Sequence, residues 1–185
     1  MSIGWPVLTA GADGEPFGIH IVDEATGRGV PLVTLETTNH IRLVTDSAGW
    51  VAFDEPGLME RKVHFTIAGP GYAITKDGFG YAGAALTTTP GASAEVKVMR
   101  TQVAERMYRV TGQGIYADSQ KLRKDAPLPL PVMNADVMGQ DSVQVAEYHG
   151  RLFWIWGDTN RPGYPLGNFH STGAWSNLPN GKPAG

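Results

Sequence analysis

Apolar and polar side chains alternate in short runs over the first hundred residues of the chain. Clusters rich in Gly, Asp and Pro separate seven such runs, which are FGIHIVD, PLVTLETT, IRLVTD, WVAFDE, VHFTIAGPGY, AALTTTPG and AEVKVMR. A two-residue period is typical of strands that bury one face, and Thr, Val and aromatic residues favour the same conformation. The pattern predicts an all-β fold, with a seven-stranded sandwich over residues 16–100.

The alternation is absent on either side of this region. Residues 1–15 are interpreted as a leader, and residues 101–138 as a linker that holds one short helix over residues 116–124. Asp118 or Ser119 is the predicted N-terminal cap of that helix, because their side chains accept hydrogen bonds from free N–H groups. The segment APLPLP should be extended, because each proline fixes φ and disfavours helix in the residue before it.

The apolar pattern returns in residues 139–159, GQDSVQVAEYHGRLFWIWGDT, and predicts a β-hairpin. His149 and Gly150 are the predicted two-residue turn, because glycine tolerates the positive φ that such turns require. Counting outward from that turn pairs Tyr148 with Arg151, Val145 with Trp154, Val143 with Trp156, and Asp141 with Asp158. The hairpin is therefore expected to carry an aspartate on each strand at its open end.

The second strand of this hairpin, LFWIW, is apolar on both faces. Such a strand is predicted to be interior and covered on both sides. An isolated hairpin of this kind would not be stable, so further strands are expected. Because few residues follow, the chain is interpreted as a fragment of a longer protein that ends within its second domain.

Composition excludes several functional classes. The 185 residues carry a formal net charge of −3, which argues against a nucleic-acid partner. The absence of cysteine rules out disulfides, zinc-thiolate sites and thiol nucleophiles. No phosphate-binding loop motif, membrane-length apolar run or signal peptide is visible. Neither a cofactor nor a metal site is predicted, and the oligomeric state is left open.

Three segments resemble the transthyretin-like and carboxypeptidase-regulatory-like β-sandwich modules. They are Val22–Pro31, which is similar to their opening hairpin, Thr45–Phe53, which is similar to their TD-x-x-G-x-x-x-F turn, and Gly71-Tyr72, which matches a pair that follows their central strand. The resemblance implies a prealbumin-like sandwich. Hydroxyisourate hydrolases share this fold, and His20, His40 and His64 are candidates for their histidines, although the C-terminal Tyr-Arg-Gly-Ser signature of that family is missing.

The hairpin resembles the first blade of arabinanase-like and sialidase-like propellers. The similarity rests on Gln140-Asp141-Ser142 and on Trp154-Ile155-Trp156-Gly157-Asp158-Thr159. It implies that residues 139–185 begin a truncated propeller-like domain. In such glycosidases an aspartate of the first blade faces the central channel as general base or transition-state stabiliser, and Asp141 is the matching residue. Together the two parts resemble secreted bacterial proteins, planctomycete ones in particular, which implies a secreted or periplasmic location.

Asp141 and Asp158 are the candidate catalytic residues. Opposed on one face, their Cβ atoms would lie roughly 5 Å apart, where like charges repel. A shared proton, a cation, a basic side chain or a ligand must relieve that repulsion. The alternative is that Asp158 forms an Asx turn and Asp141 caps a strand end.

Four further residues are candidate substrate-binding residues, namely Trp156, Asn160, Arg161 and His170. Loops at strand ends often carry binding groups, whereas Trp156 is also compatible with a core position and Arg161 with a solvated loop cation. The predicted function is that of a fragment of a carbohydrate-directed protein, glycoside hydrolase-like once its propeller is complete and inactive as it stands. The alternatives are a structural or adhesive β-sandwich module, and a small hydrolase on a transthyretin-like fold.

Overall fold

The computed structural model describes residues 14–109, 114–127, 135–163 and 170–179. They divide into two compact units, one of residues 14–108 and 116–126, the other of the described residues within 109–115 and 127–179. The predicted leader lies almost entirely outside the described residues. Strands dominate both units, which confirms the all-β class. None of the helices in the described ranges has the length and apolar character needed to cross a membrane.

Each of the seven predicted runs of the first unit contains a strand. The strands are β1 Phe17–Asp23, β2 Thr34–Thr37, β3 Arg42–Val44, β4 Trp50–Phe53, β5 Lys62–Ala68, β6 Tyr72–Ala73, β7 Gly83–Thr87 and β8 Ser93–Arg100. A 3-10 turn spans Pro56–Leu58. The additional strand is β6, because Gly71 takes a φ of 80° and turns the chain after β5. The described unit therefore has eight strands rather than seven.

These strands form two four-stranded sheets. Their orders are β4-β1-β8-β6 and β3-β2-β5-β7. The pair of β1 with β8 is parallel and joins Ile19 to Ala94, whereas the other pairs are antiparallel. A parallel pair needs a long crossover, and here the whole second sheet is built by the chain between the two strands.

One apolar core lies between the two sheets. Phe17, Ile19 and Ile21 alternate along β1 and are buried with residues of the second sheet. Phe53 and Phe65 meet across the sheets edge to face, with ring centroids 5.1 Å apart. Two sheets about a shared core have the general form of a β-sandwich.

The predicted helix is present as α1, Ala117–Lys121. Its predicted cap is wrong, because Tyr116 occupies the N-cap position and no side chain caps the helix. Ser119 instead points into the first unit, where its N–H and its hydroxyl both donate to Asp46 Oδ2, at 2.7 and 2.6 Å. A buried carboxylate was a better partner for Ser119 than the free end of a short helix.

The second unit contains five short strands among its described residues. They are β9 Gly139–Gln140, β10 Val143–Tyr148, β11 Arg151–Trp156, β12 Thr159–Asn160 and β13 Thr172–Asn177. Strands β10, β11 and β13 form an antiparallel sheet in that order, and β9 pairs with β12. The hairpin register is the predicted one, with Val143 opposite Trp156 and Tyr148 opposite Arg151.

The turn of this hairpin is also confirmed. His149 has a φ of 47° and Gly150 a φ of 70°. Two positive φ values in a two-residue loop define a type I′ turn, whose twist matches that of the flanking strands.

The burial of the hairpin differs from the prediction. Every side chain of β10 is exposed, and those of β11 are half-buried or exposed. Among the described residues β13 adds a third strand beside β11, but the two faces are only partly covered. Strand β11 is thus the central strand of its sheet, but its side chains are not buried in a core.

Candidate functional site

The two candidate catalytic aspartates lie opposite each other where the hairpin opens. The backbone N–H of Asp141 donates to the carbonyl oxygen of Asp158 at 3.0 Å, and the N–H of Gly157 donates to Asp141 O at 2.9 Å. These bonds lie between the β9–β12 pair and the β10–β11 pair, and both pairs share one register. The predicted opposition of the two residues is therefore confirmed for the backbone.

Ser142 separates β9 from β10 and engages the carboxylate of Asp141. It has a φ of 52°, in the left-handed region that interrupts a strand. Asp141 Oδ1 accepts a hydrogen bond from the Ser142 N–H at 2.6 Å and a longer one from the Ser142 hydroxyl at 3.4 Å. Both aspartates are exposed.

A network of neutral polar groups joins the strand ends near the two acids. Thr159 is fully buried, and its hydroxyl lies 2.9 Å from the hydroxyl of Thr172 and donates to Gly157 O at 3.2 Å. Gln140 Nε2 donates to the Thr172 hydroxyl at 2.8 Å. These hydrogen bonds connect β9 and β12 to β13, and they therefore stabilise the backbone next to Asp141 and Asp158.

These polar groups had no predicted role. Gln140, Ser142 and Thr159 are the sequence neighbours of the aspartates in the Gln-Asp-Ser and Gly-Asp-Thr segments. This adjacency was the feature of the sequence from which their place near the aspartates could have been predicted. Thr172 had none, because it reaches the site only through the pairing of β13 with β11.

The other loop candidates stay close to the strand ends but are engaged differently. Arg161 Nη1 donates to the carbonyl oxygen of Ala135 at 2.8 Å. Within the described residues no salt bridge joins Arg161 to Asp141 or Asp158. Asn160 pairs with Gly139, and its half-buried side chain is available at the same edge. His170 is exposed just before β13.

Trp156 packs beside a second indole on one face of the three-stranded sheet. The rings of Trp154 and Trp156 are nearly parallel, at 14°, with centroids 6.2 Å apart. Trp154 Nε1 donates to the Ser176 hydroxyl at 2.8 Å, which fixes its orientation. Both indoles are half-buried, so Trp156 contributes to packing and also keeps part of its surface open.

The opposite face of this sheet is aromatic as well. Trp175 lies 4.8 Å from Phe153 and 6.4 Å from Tyr148, between ring centroids. The guanidinium of Arg151 lies 5.4 Å from the centre of the Trp175 ring, within cation–π range. Both faces of the sheet are therefore apolar.

The three histidines of the first unit do not converge on one site. His20 stacks on Trp50, with centroids 4.1 Å apart, and its Nε2 lies 3.1 Å from Ala48 O. Burial lowers the pKa of His20. His40 Nδ1 lies 2.7 Å from Glu36 Oε1, and this hydrogen bond is the main cause of the lowered pKa of Glu36.

The third histidine, His64, contacts Tyr81 instead. The three imidazoles thus have separate partners, and the small hydrolase stays a prediction from the resemblance. In the described ranges no group of three His, Asp or Glu side chains is arranged to hold a metal ion.

Another cluster lies around α1. Burial raises the pKa of Asp118, with a further contribution from the negative charge of Asp46. A cavity of about 180 Å³ lies nearby. Its lining residues are Glu15, Pro16, Gly91, Lys121, Leu122 and Arg123. All of them belong to the first unit, so this cavity does not enclose Asp141 or Asp158.

No protein-family model, curated protein or solved structure matches this chain. The all-β class rests on the observed strands, and the transthyretin-like and propeller-like resemblances stay predictions from sequence.

Proposed function

We propose that the chain is a carbohydrate-directed protein whose second unit binds a glycan at the open end of the hairpin. In this proposal the first unit is an accessory, prealbumin-like sandwich of the transthyretin-like kind, and the second unit begins a propeller-like domain. The observation that carries the proposal is the register that sets Asp141 opposite Asp158, with both side chains open to solvent.

The form of the second unit supports the propeller-like part of the proposal. A propeller blade is a small antiparallel sheet that packs between neighbouring blades around a central channel. The sheet of β10, β11 and β13 is antiparallel, follows chain order and is apolar on both faces. Such a sheet suits a position between two layers better than a position on a surface.

The chemistry at the strand ends suits a polyhydroxylated ligand. Carboxylates accept hydrogen bonds and offer several acceptor sites each, while the amide of Asn160 both donates and accepts. Sugar hydroxyls provide the matching donors and acceptors. Within the described residues no basic side chain forms a salt bridge with Asp141 or Asp158, so sugar hydroxyls would donate hydrogen bonds to these carboxylates without displacing a cation.

Binding is the activity expected of this chain, and hydrolysis is not. A glycosidase needs two carboxyl groups that flank the scissile bond, one acting as acid and the other as base or nucleophile. Asp141 and Asp158 are exposed, and the cavity described above lies elsewhere. In a complete glycosidase-like domain Asp141 would serve as base or transition-state stabiliser, with Asp158 or another carboxyl group as its partner.

The test compares charge-neutral isosteres on a glycan array, followed by titration with the best ligand. Asp141→Asn and Asp158→Asn keep the side-chain shape and remove one negative charge each, and Asp125→Asn is the control at an exposed aspartate of the first unit. We expect a loss of about tenfold or more for each site variant, as for anchor residues of an interface. Full binding by both site variants would remove the aspartates from the proposal.

A structural or adhesive module is the second candidate. Its support is the exposure of Val143, Val145 and Tyr148 along β10. Among the described residues β10 is an edge strand, so the backbone groups on its outer side are free to pair with another chain. Edge strands of this kind recruit partners by strand addition. Absence of glycan binding together with concentration-dependent association, measured by analytical ultracentrifugation, would favour this candidate.

A further inference from the structure

A tight loop of the first unit presents two aromatic side chains to solvent. Residues 76–82, here the aromatic loop, are closed by a bridge between Lys76 and Ala82. Phe79 is 92% exposed and Tyr81 is 64% exposed. The ring of Phe79 is therefore removed from water hardly at all and adds almost nothing to the stability of the free protein.

The backbone of the aromatic loop is nevertheless well fixed. Asp77 Oδ1 accepts hydrogen bonds from the N–H groups of Phe79 and Tyr81, each at 2.9 Å. The Asp77 N–H donates to Tyr81 O, and the Gly80 N–H donates to Asp77 O, both at 3.0 Å. A loop held in one conformation loses little entropy on binding, which is the advantage of preorganisation.

A polar ring lies beside Tyr81, next to a strip of small residues. The imidazole of His64 meets Tyr81 edge to face, with centroids 6.4 Å apart. It lies over Gly83, where an added Cβ would come within 2.9 Å of His64 Cε1. Gly83 pairs with Thr66, and Ala85 pairs with His64, so small side chains continue the surface along β5 and β7.

We propose that Phe79, Tyr81 and His64 form a second glycan-binding surface, in the first unit, that takes a pyranose ring of a neutral polysaccharide. The proposal rests on the carbohydrate-directed function proposed above for its ligand class. An aromatic ring is apolar on its face, and the C–H face of a pyranose can stack on it, while its hydroxyls reach the imidazole nitrogens of His64.

The size and charge of the surface favour a sugar over larger partners. Stable protein interfaces bury about 800 Å² on each side, far more than two rings on one loop provide. Membrane-surface segments combine apolar side chains with several basic ones. The aromatic loop has one Lys and one Asp, so it offers no net positive charge to an anionic membrane.

The experiment is affinity electrophoresis of the full chain in gels that contain xylan, mixed-linkage β-glucan or galactomannan. The test variants are Phe79→Ala and Tyr81→Ala, and the control is Val103→Ala, which truncates an equally exposed apolar side chain of the first unit. Because Phe79 is exposed, Phe79→Ala should fold normally. We expect retardation by at least one polysaccharide, weakened about tenfold or more in both test variants and unchanged in the control.

Asp141→Asn separates this inference from the proposed function. Retardation that depends on Phe79 and Tyr81, whether or not it also depends on Asp141, supports the second surface. Retardation lost only in Asp141→Asn overturns the second surface and leaves the proposed function standing. Absence of retardation of the unmodified chain in all three gels overturns the second surface, and absence of binding on the glycan array as well overturns both proposals. A membrane contact is the remaining outcome. If the chain binds no polysaccharide but cosediments with phosphatidylcholine–phosphatidylglycerol vesicles, and Phe79→Ala abolishes that cosedimentation, the second glycan-binding surface is overturned.

Discussion

Replacing Ser119 by alanine tests how helix α1 is attached to the first unit. The hydroxyl of Ser119 is fully buried and donates to Asp46 Oδ2 at 2.6 Å. The other oxygen of this carboxylate accepts hydrogen bonds from the N–H groups of Ala48 and Trp50, at 2.9 and 3.1 Å. Asp46 thus joins the turn before β4 to a helix that lies 73 positions away.

The magnitude follows from two opposing effects. A hydrogen bond to a charged group stabilises by about 1.5–3 kcal/mol. Alanine favours the helix over serine by roughly 0.5 kcal/mol, which offsets part of that loss. Asp46 Oδ2 keeps the N–H of residue 119, at 2.7 Å, so the carboxylate is not left without a partner. We expect Ser119→Ala to lower the free energy of unfolding of the first unit by about 1–2.5 kcal/mol.

The assay is urea denaturation followed by far-UV circular dichroism, with hydrogen exchange of the α1 amides as a local readout. The matched control is Gln120→Ala, the next residue of the same helix, whose side chain makes no hydrogen bond within the described residues. Faster exchange of the Leu122 N–H, which donates to Asp118 O, should accompany the loss of stability. Equal stability of the two variants would refute the assignment of Asp46 as the anchor of α1.

Three further predictions concern the core, the hairpin turn and the pH dependence of stability. Phe53→Ala should lower the free energy of unfolding by about 3–5 kcal/mol, because the buried ring also loses its edge contact with Phe65, and denaturant titration measures this change. His149→Val should destabilise the hairpin by about 1–2 kcal/mol, whereas His149→Asn should not, because asparagine tolerates a φ near the observed 47°. Tryptophan fluorescence during unfolding measures the difference between the two variants. Burial lowers the pKa of His20, so the folded state favours the neutral imidazole. The stability that this preference contributes is complete above pH 6.5 and is lost as the pH falls below that value. His20→Gln should therefore flatten the dependence of the free energy of unfolding on pH, measured by urea titrations from pH 5 to 8.

Much of the local structure of this chain follows from short-range patterns. A strand alternates its side chains between two faces, so a run such as FGIHIVD predicts a strand in which Phe17, Ile19 and Ile21 share one face, and all three belong to the core. The hairpin register follows from the turn at His149-Gly150 alone, since each pair outward is then fixed. The opposition of Asp141 and Asp158 was predictable for the same reason.

The environment of that pair was less accessible from sequence. The positive φ of Ser142 brings its own N–H onto the Asp141 carboxylate, and no periodic pattern indicates such a residue. Thr172 reaches the site only through the pairing of β13 with β11. The exposure of β11 also depends on what covers its faces, which the composition of the strand does not specify.

The sequence by itself determined most of the strands and the turn that sets the two aspartates opposite each other, because these depend on neighbours within a few residues. The tertiary structure decided which distant groups meet: β1 with β8, Asp46 with Ser119, and the strand ends with Thr172. Such pairings depend on how whole sheets pack about a common core, and a local pattern of apolar and polar side chains is compatible with many of them.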